Sequence, residues 1–249
     1  MGGTSLRRWK YIPSAILSRS VIALQRSFSI PSLAHLAAVL ACVLLLLLLF
    51  FLSSAAAQDT VAFWLEKGQE SLTKNDFAQA AESFDQALKI DPENASAWAG
   101  KGTAVSRQGR YKMAGLCFAN ALKKDSQNAL LWEEDGRAKE MAGEWDDARL
   151  SYERALVLQP ALAEAWLGLA NASLALEDYD RALQSFENAS MHGQKDAARA
   201  GQVRVHIAQS SSLIEKNEFE AAYNSSNEAL AIDPLNSPAL MIKAVALSR

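Results

Sequence analysis

Two cysteines and three histidines in 249 residues leave little material for disulfide or metal chemistry. Cys42 sits in an apolar run and Cys117 in a helix-patterned segment, so the pair does not form a disulfide framework. Scarcity of cysteine does not by itself fix the compartment. No paired-cysteine spacing and no His-Glu-x-x-His motif occurs, and His35, His192 and His206 lie in unrelated contexts. No metal and no cofactor are therefore expected. Acidic residues are missing from the first 57 positions, which hold Arg7, Arg8, Lys10, Arg19 and Arg26, and all 28 acidic side chains come later. The later part is thus net acidic. That excludes nucleic acid as a natural partner, because phosphate contacts need a basic face.

One long hydrophobic run is present. Leu36 to Leu52 is 17 apolar residues without a break, and extended back to Leu33 it reaches 20 with only His35 interrupting. A helix of about 20 residues spans about 30 Å, the thickness of a bilayer core. Residues 33–57 are therefore expected to be a transmembrane anchor or an uncleaved signal, behind a basic tail over residues 1–32. That tail has the composition of an amphipathic surface helix, of a transit peptide or of a disordered basic segment, and these stay open. Ala55, Ala56 and Ala57 resemble the small-residue cleavage site of a secretory signal, so release after Ala57 is the alternative to anchoring. Both readings give one orientation: a cytoplasmic N-terminus, with the later residues outside the cytoplasm.

The rest of the chain repeats. Trp64, Trp98, Trp132 and Trp166 recur every 34 residues. So do Ala80, Ala114, Ala148 and Ala182, then Ala87, Ala121, Ala155 and Ala189. An aromatic column runs Phe84, Phe118, Tyr152 and Phe186, and another runs Phe77, Tyr111, Trp145 and Tyr179. Pro92 and Pro160 close two units. A fixed period of this size marks stacked supersecondary units.

These columns resemble the tetratricopeptide repeat family from Val61 to about Asn236. Ser71, Val105, Lys139 and Ser173 depart from it, standing where its pattern has Tyr. The resemblance implies an all-α, right-handed superhelical solenoid of about five helix–turn–helix repeats plus a terminal helix, here preceded by one transmembrane helix. The repeat domain covers residues 60–249, with repeats at about 61–94, 95–128, 129–162 and 163–196. Each has an A helix near its Trp and a B helix carrying the aromatic and the two alanines. Thr60 and Asp59 offer the first N-cap. Gly68, Gly102, Gly136 and Ala170 are small because A and B helices approach there.

The fifth unit is displaced. Phe219, Ala222, Ala229 and Pro234 reproduce Phe77, Ala80, Ala87 and Pro92 at an offset of 142, where four periods give 136. Six residues are inserted around Met191 to Asp196, and the fifth repeat is placed at about 203–236. His206 replaces its Trp and Ser226 its ring aromatic. Asp196 to Ile214 is expected to form the longest helix of the array, with Asp196 as its cap. Residues 237–249 form a terminal A-type helix.

No catalytic constellation appears. Trp98-Ala99-Gly100-Lys101-Gly102-Thr103 lacks the glycine spacing and the Lys-Ser/Thr pair of a phosphate loop, and the carboxylates fall on helix faces beside Lys and Arg. The chain is not expected to be an enzyme. In the family, partner peptides bind the concave wall of A helices. Carried over by position, that wall is Leu65, Gln69 and Leu72, then Thr103, then Glu133, Arg137 and Glu140, then Leu167, Asn171 and Leu174, then Ile207 and Ser211. The Lys-Asn set with which some members clamp a terminal carboxylate is absent. Met241, Ile242 and Val245 on the terminal helix make an apolar patch that docks a partner or a second copy, or is the uncapped end of a longer array. The sequence thus points to a membrane-anchored extracytoplasmic scaffold for a protein or peptide partner. A secreted binder freed near Ala57 and a non-catalytic subunit of a membrane complex are the alternatives. Four Asn-x-Ser sequons, at Asn94, Asn171, Asn188 and Asn224, are either chance matches to a short motif in a Ser-rich chain or glycan acceptors, with Asn94 the best placed.

Overall fold

The computed structural model describes residues 40–44 and 60–249. The chain divides into two compact units, Met1–Gln58 and Asp59–Arg249. Of the first, residues 40–44 are helical. The expected basic tail and most of the expected span lie outside the described residues. Among the described residues no helix is long and apolar enough to cross a membrane.

From Val61 onward the described residues form eleven helices: α1 Val61–Thr73, α2 Phe77–Ile90, α3 Ala95–Arg107, α4 Tyr111–Leu122, α5 Ala129–Met141, α6 Trp145–Leu158, α7 Ala163–Ala175, α8 Tyr179–Met191, α9 Lys195–Glu215, α10 Phe219–Ile232 and α11 Ser237–Leu247. Each helix packs on the next. The odd-numbered A helices also touch one another in succession, whereas the even-numbered B helices do not. The A helices therefore form one continuous wall and the B helices its outer side. Residues 60–249 build the all-α repeat solenoid that the resemblance implies.

The period has a packing cause. One ring per repeat is buried: Phe84, Phe118, Tyr152 and Phe186. Each lies against a glycine or alanine of its own A helix, and three of the four also meet a glycine of the next. A Cβ on Gly136 would stand 2.9 Å from the Tyr152 ring and one on Gly168 only 2.2 Å, closer than side chains tolerate. Gly68 and Gly100 hold Phe84 in the same way. The alanine columns are fully buried, from Ala80 and Ala87 to Ala182 and Ala189.

The tryptophans staple the repeats. The indole N–H groups of Trp98, Trp132 and Trp166 donate to the carbonyls of Pro92, Ser126 and Pro160 at 2.8, 2.9 and 2.8 Å, tying each A helix to the link before it. In three links an Asn caps the following helix and donates its amide to an Asp three residues back: Asn94 to Asp91, Asn128 to Asp125 and Asn236 to Asp233. This occupies the Asn94 side chain, while Asn224 is the exposed sequon asparagine. Thr60 caps α1 through the Phe63 amide. The A-to-B turns need one left-handed residue each, supplied by Asn75, Gly109, Gly143, Glu177 and Asn217.

The fifth repeat departs as its insertion predicts, with two differences. α9 is the longest of these helices at 21 residues, but it begins at Lys195. Asp196 is not its cap; it lies in the first turn, and Gln194 precedes the helix without a side-chain cap. The cause is the short link at Gly193, which lets the new helix start at once. Gly201 then meets Phe186 as Gly168 meets Tyr152. The first half of α9 thus serves the fourth repeat and its second half the fifth. There the ring–glycine pair is replaced by Ser210 and Ser226, both fully buried. His206 is half-buried at the Trp position, and burial holds its pKa below the usual value.

Candidate functional site

The A-helix wall carries a polar cavity of about 230 Å³ between α5 and α7, lined by Glu133, Arg137, Glu140, Tyr152, Glu164, Leu167, Gly168 and Asn171. The 3.6-residue period aligns Glu133, Arg137 and Glu140 along one face of α5, and Glu164, Leu167 and Asn171 along the facing side of α7. Tyr152 reaches the wall from the B helix α6, because Gly136 and Gly168 leave room for its ring.

A hydrogen-bonded chain crosses three A helices. The Tyr152 hydroxyl donates to Glu140 Oε2 at 2.5 Å. Asn171 Nδ2 donates to Glu140 Oε1 at 3.3 Å, and Arg204 of α9 donates to Asn171 Oδ1 at 2.9 Å. The amide orientation is the one that satisfies both neighbours. Burial raises the Glu140 pKa, while the bonds from Tyr152 and Asn171 oppose the rise. Burial and the neighbouring Glu140 push the Tyr152 phenol well above its usual value, so it stays a donor.

Glu133 differs: burial, then Glu134 and Glu164, raise its pKa, and only Arg137 opposes. Arg137 is itself paired with Glu134. Glu164 accepts from Gln194 at 2.5 Å. The cavity is therefore acid-rich, with one guanidinium already engaged.

Behind the wall, Asp135 is 1% exposed, and its Oδ2 accepts from Lys139 at 2.6 Å and from Ser151 at 2.6 Å. Lys139 also donates to Ser151 at 2.9 Å. A Ser–Lys contact is a nucleophile's geometry, but Ser151 is itself 1% exposed, so the triad binds α5 to α6 rather than facing a substrate.

The family model described as tetratricopeptide repeat matches residues 65–129, and a second of the same description matches residues 141–206. Together they span just over half of the chain. The chain belongs to the tetratricopeptide repeat family. Among solved structures, YrrB, described as a tetratricopeptide protein with an unusual peptide-binding site, is 20% identical with a TM-score of 0.61; the match covers 78% of this chain and 97% of that one. MamA is 21% identical with a TM-score of 0.56 over 71% of this chain and 93% of its own. A tetratricopeptide repeat protein from Parabacteroides merdae is 21% identical with a TM-score of 0.56 over 76% and 72%. No curated protein matches the chain in sequence.

Within this tetratricopeptide wall, five of the positions expected to face a partner converge in the cavity: Glu133, Arg137, Glu140, Leu167 and Asn171. Others are spent on the array itself. Leu65 and Leu72 pack against the Phe84 cluster and Leu174 against the Phe186 cluster, which Leu167 also touches from the cavity. The hydroxyls of Thr103 and Ser211 donate to carbonyls of their own helices, and Gln69 is exposed. Ile207 lines a separate cleft.

Tyr152, Glu164 and Arg204 were not evident from the fixed 34-residue register. The signal for Arg204 was Gly201: aligned with Gly168, it puts Arg204 at the Asn171 position. At the C-terminal end Met241 and Val245 are exposed, at 64% and 44%, with Leu240 and Leu247 beside them, while Ile242 is half-buried.

Proposed function

We propose that this chain is a tetratricopeptide scaffold, held at a membrane by residues 33–57 with its repeats outside the cytoplasm, whose A-helix wall takes an extended segment of a partner protein. The observation that carries the reading is the α5–α7 cavity, where wall residues from two repeats meet around desolvated Glu133 and Glu140. Desolvated carboxylates held by a rigid wall favour a segment that brings a basic side chain. The description of YrrB as having a peptide-binding site is consistent with such a use of the fold. Membrane attachment rests on the 17-residue apolar run and the acid-free basic flank.

Two experiments test the two halves. Intact-mass measurement on native protein is expected to find residues 33–57 retained; a mature N-terminus at Gln58 contradicts anchoring and leaves the secreted binder, for which Ala55 to Ala57 speak. Photo-crosslinking from Leu167 in membranes is expected to trap a partner segment. Self-association through the exposed end of α11 belongs to the same proposal. Sedimentation of Met241→Ser and Val245→Ser variants is expected to show less of it, with an unchanged melting temperature.

A further inference from the structure

The long α9 leaves a feature that the regular repeats do not need. Asp196, Arg199, Ala200, Val203, Arg204 and Ile207 fall on one helical face. The later part of this face packs on α11, since Val203 and Ile207 cluster with Ala239, while the earlier turns of α9 are bordered by the link from Ile232 to Asn236. The result is a cleft of about 480 Å³. Its floor is apolar: Val203 is buried, and Ile207 and Ile232 are half-buried. Arg199 and Arg204 flank it, both exposed.

The charges in the cleft are not equivalent. Asp233 belongs to the link, where its Oδ2 accepts from Asn236 at 3.0 Å as Asp91 and Asp125 accept from their asparagines. Asp196 sits in the first turn of an uncapped helix, where a carboxylate offsets the exposed amides. Local structure accounts for both acids. The guanidiniums have neutral partners but no counter-charge: among the described residues neither Arg199 nor Arg204 is within ion-pair distance of a carboxylate. Both are nonetheless held in place. Arg199 donates to the Ile232 carbonyl at 3.3 Å, and Arg204 donates to Asn171 and lies over the Phe186 ring at 5.9 Å. Two positioned guanidiniums beside an apolar floor suit a carboxylate next to an aliphatic side chain.

We propose that this cleft is a second subsite, which takes an acidic residue adjacent to an aliphatic one on a protein segment. The inference goes beyond the α5–α7 cavity, whose acid-rich lining suits the opposite charge, and it rests on the A-helix wall being a binding face. Arg204 joins the two sites, since its Asn171 partner lines the first and it lines the second itself.

The test is selection of peptides from a displayed linear library against the full-length protein in detergent. Binders are expected to pair Asp or Glu with Leu, Ile, Val or Phe. Affinity for them should fall at least tenfold in Arg199→Gln/Arg204→Gln with the melting temperature unchanged, and Arg199→Lys/Arg204→Lys should restore part of it. Binders insensitive to the glutamine pair but weakened by Glu133→Gln overturn the cleft and leave the wall cavity standing. Binders sensitive to the arginines alone support the cleft and count against the cavity. A library that yields no acidic–aliphatic binder overturns the cleft.

Discussion

Tyr152 donates its hydroxyl to Glu140 across 2.5 Å, so the buried ring of the third repeat ends on the A-helix wall. The same side chain packs between Gly136 and Gly168 and fixes a wall carboxylate. Tyr152→Phe keeps the ring and removes the donor. A hydrogen bond to a charged group contributes about 1.5–3 kcal/mol, and the variant is expected to lose an amount in that range. Chemical denaturation measures the loss, and NMR titration is expected to find the Glu140 pKa higher still, since the lost bond is one that lowers it.

Gly168 is a steric requirement. A Cβ there would lie 2.2 Å from Tyr152 Cζ, whereas one on Gly115 meets nothing closer than 4.0 Å. Gly168→Ala is expected to destabilise by about 1–3 kcal/mol through overpacking. Gly115→Ala, inside α4, is expected to stabilise by about 1 kcal/mol through helix propensity. Thermal melts that move the same way for both would contradict the ring sandwich.

The Asp135–Lys139–Ser151 triad occupies positions filled by Leu169, Ser173 and Ser185 in the next repeat. Lys139→Ser strands a carboxylate that is 1% exposed and is expected to cost about 3–5 kcal/mol. Adding Asp135→Leu removes the stranded charge and should recover most of that loss. Urea midpoints for the single and double variants check the sign.

Glu133 sets a pH dependence. Its pKa is raised above the ordinary 4.5 by burial first. In the folded state the neutral form is favoured, so its stabilising contribution is full below 4.5 and is lost as pH rises through the raised folded value. Glu133→Gln is expected to melt higher than the native chain near neutral pH, with the difference closing as pH falls to 4.5. A difference that does not change with pH would mean Glu133 is not desolvated.

How much was legible in the sequence follows from what the period encodes. Trp98, Ala114 and Phe118 report contacts that recur along the regular repeats, so the alternation of A and B helices and most of their ends were readable. Wall positions on α5 and α7 were readable for the same reason, since they ride on regular helices. Two things were not. Gly193 shortened one link and started α9 at Lys195, one residue before the expected Asp196, and the wall positions carried over in the register of Phe219 began only at Ile207, so Arg199 and Arg204 were not read as wall residues. Tyr152 looked like an ordinary core ring, because no spacing rule says that its hydroxyl continues past the core to Glu140.

The proposed binding mode lays a partner segment on the A-helix wall between α5 and α7. Site-specific photo-crosslinking in native membranes tests it most directly, with the reactive group placed at Leu167 and, in parallel, at Leu116 and Leu150, which are exposed on the B helices. The prediction is a crosslinked partner peptide from Leu167 that disappears with Glu133→Gln/Glu140→Gln, and none from Leu116 or Leu150. Crosslinks from Leu116 or Leu150 with none from Leu167 would contradict it.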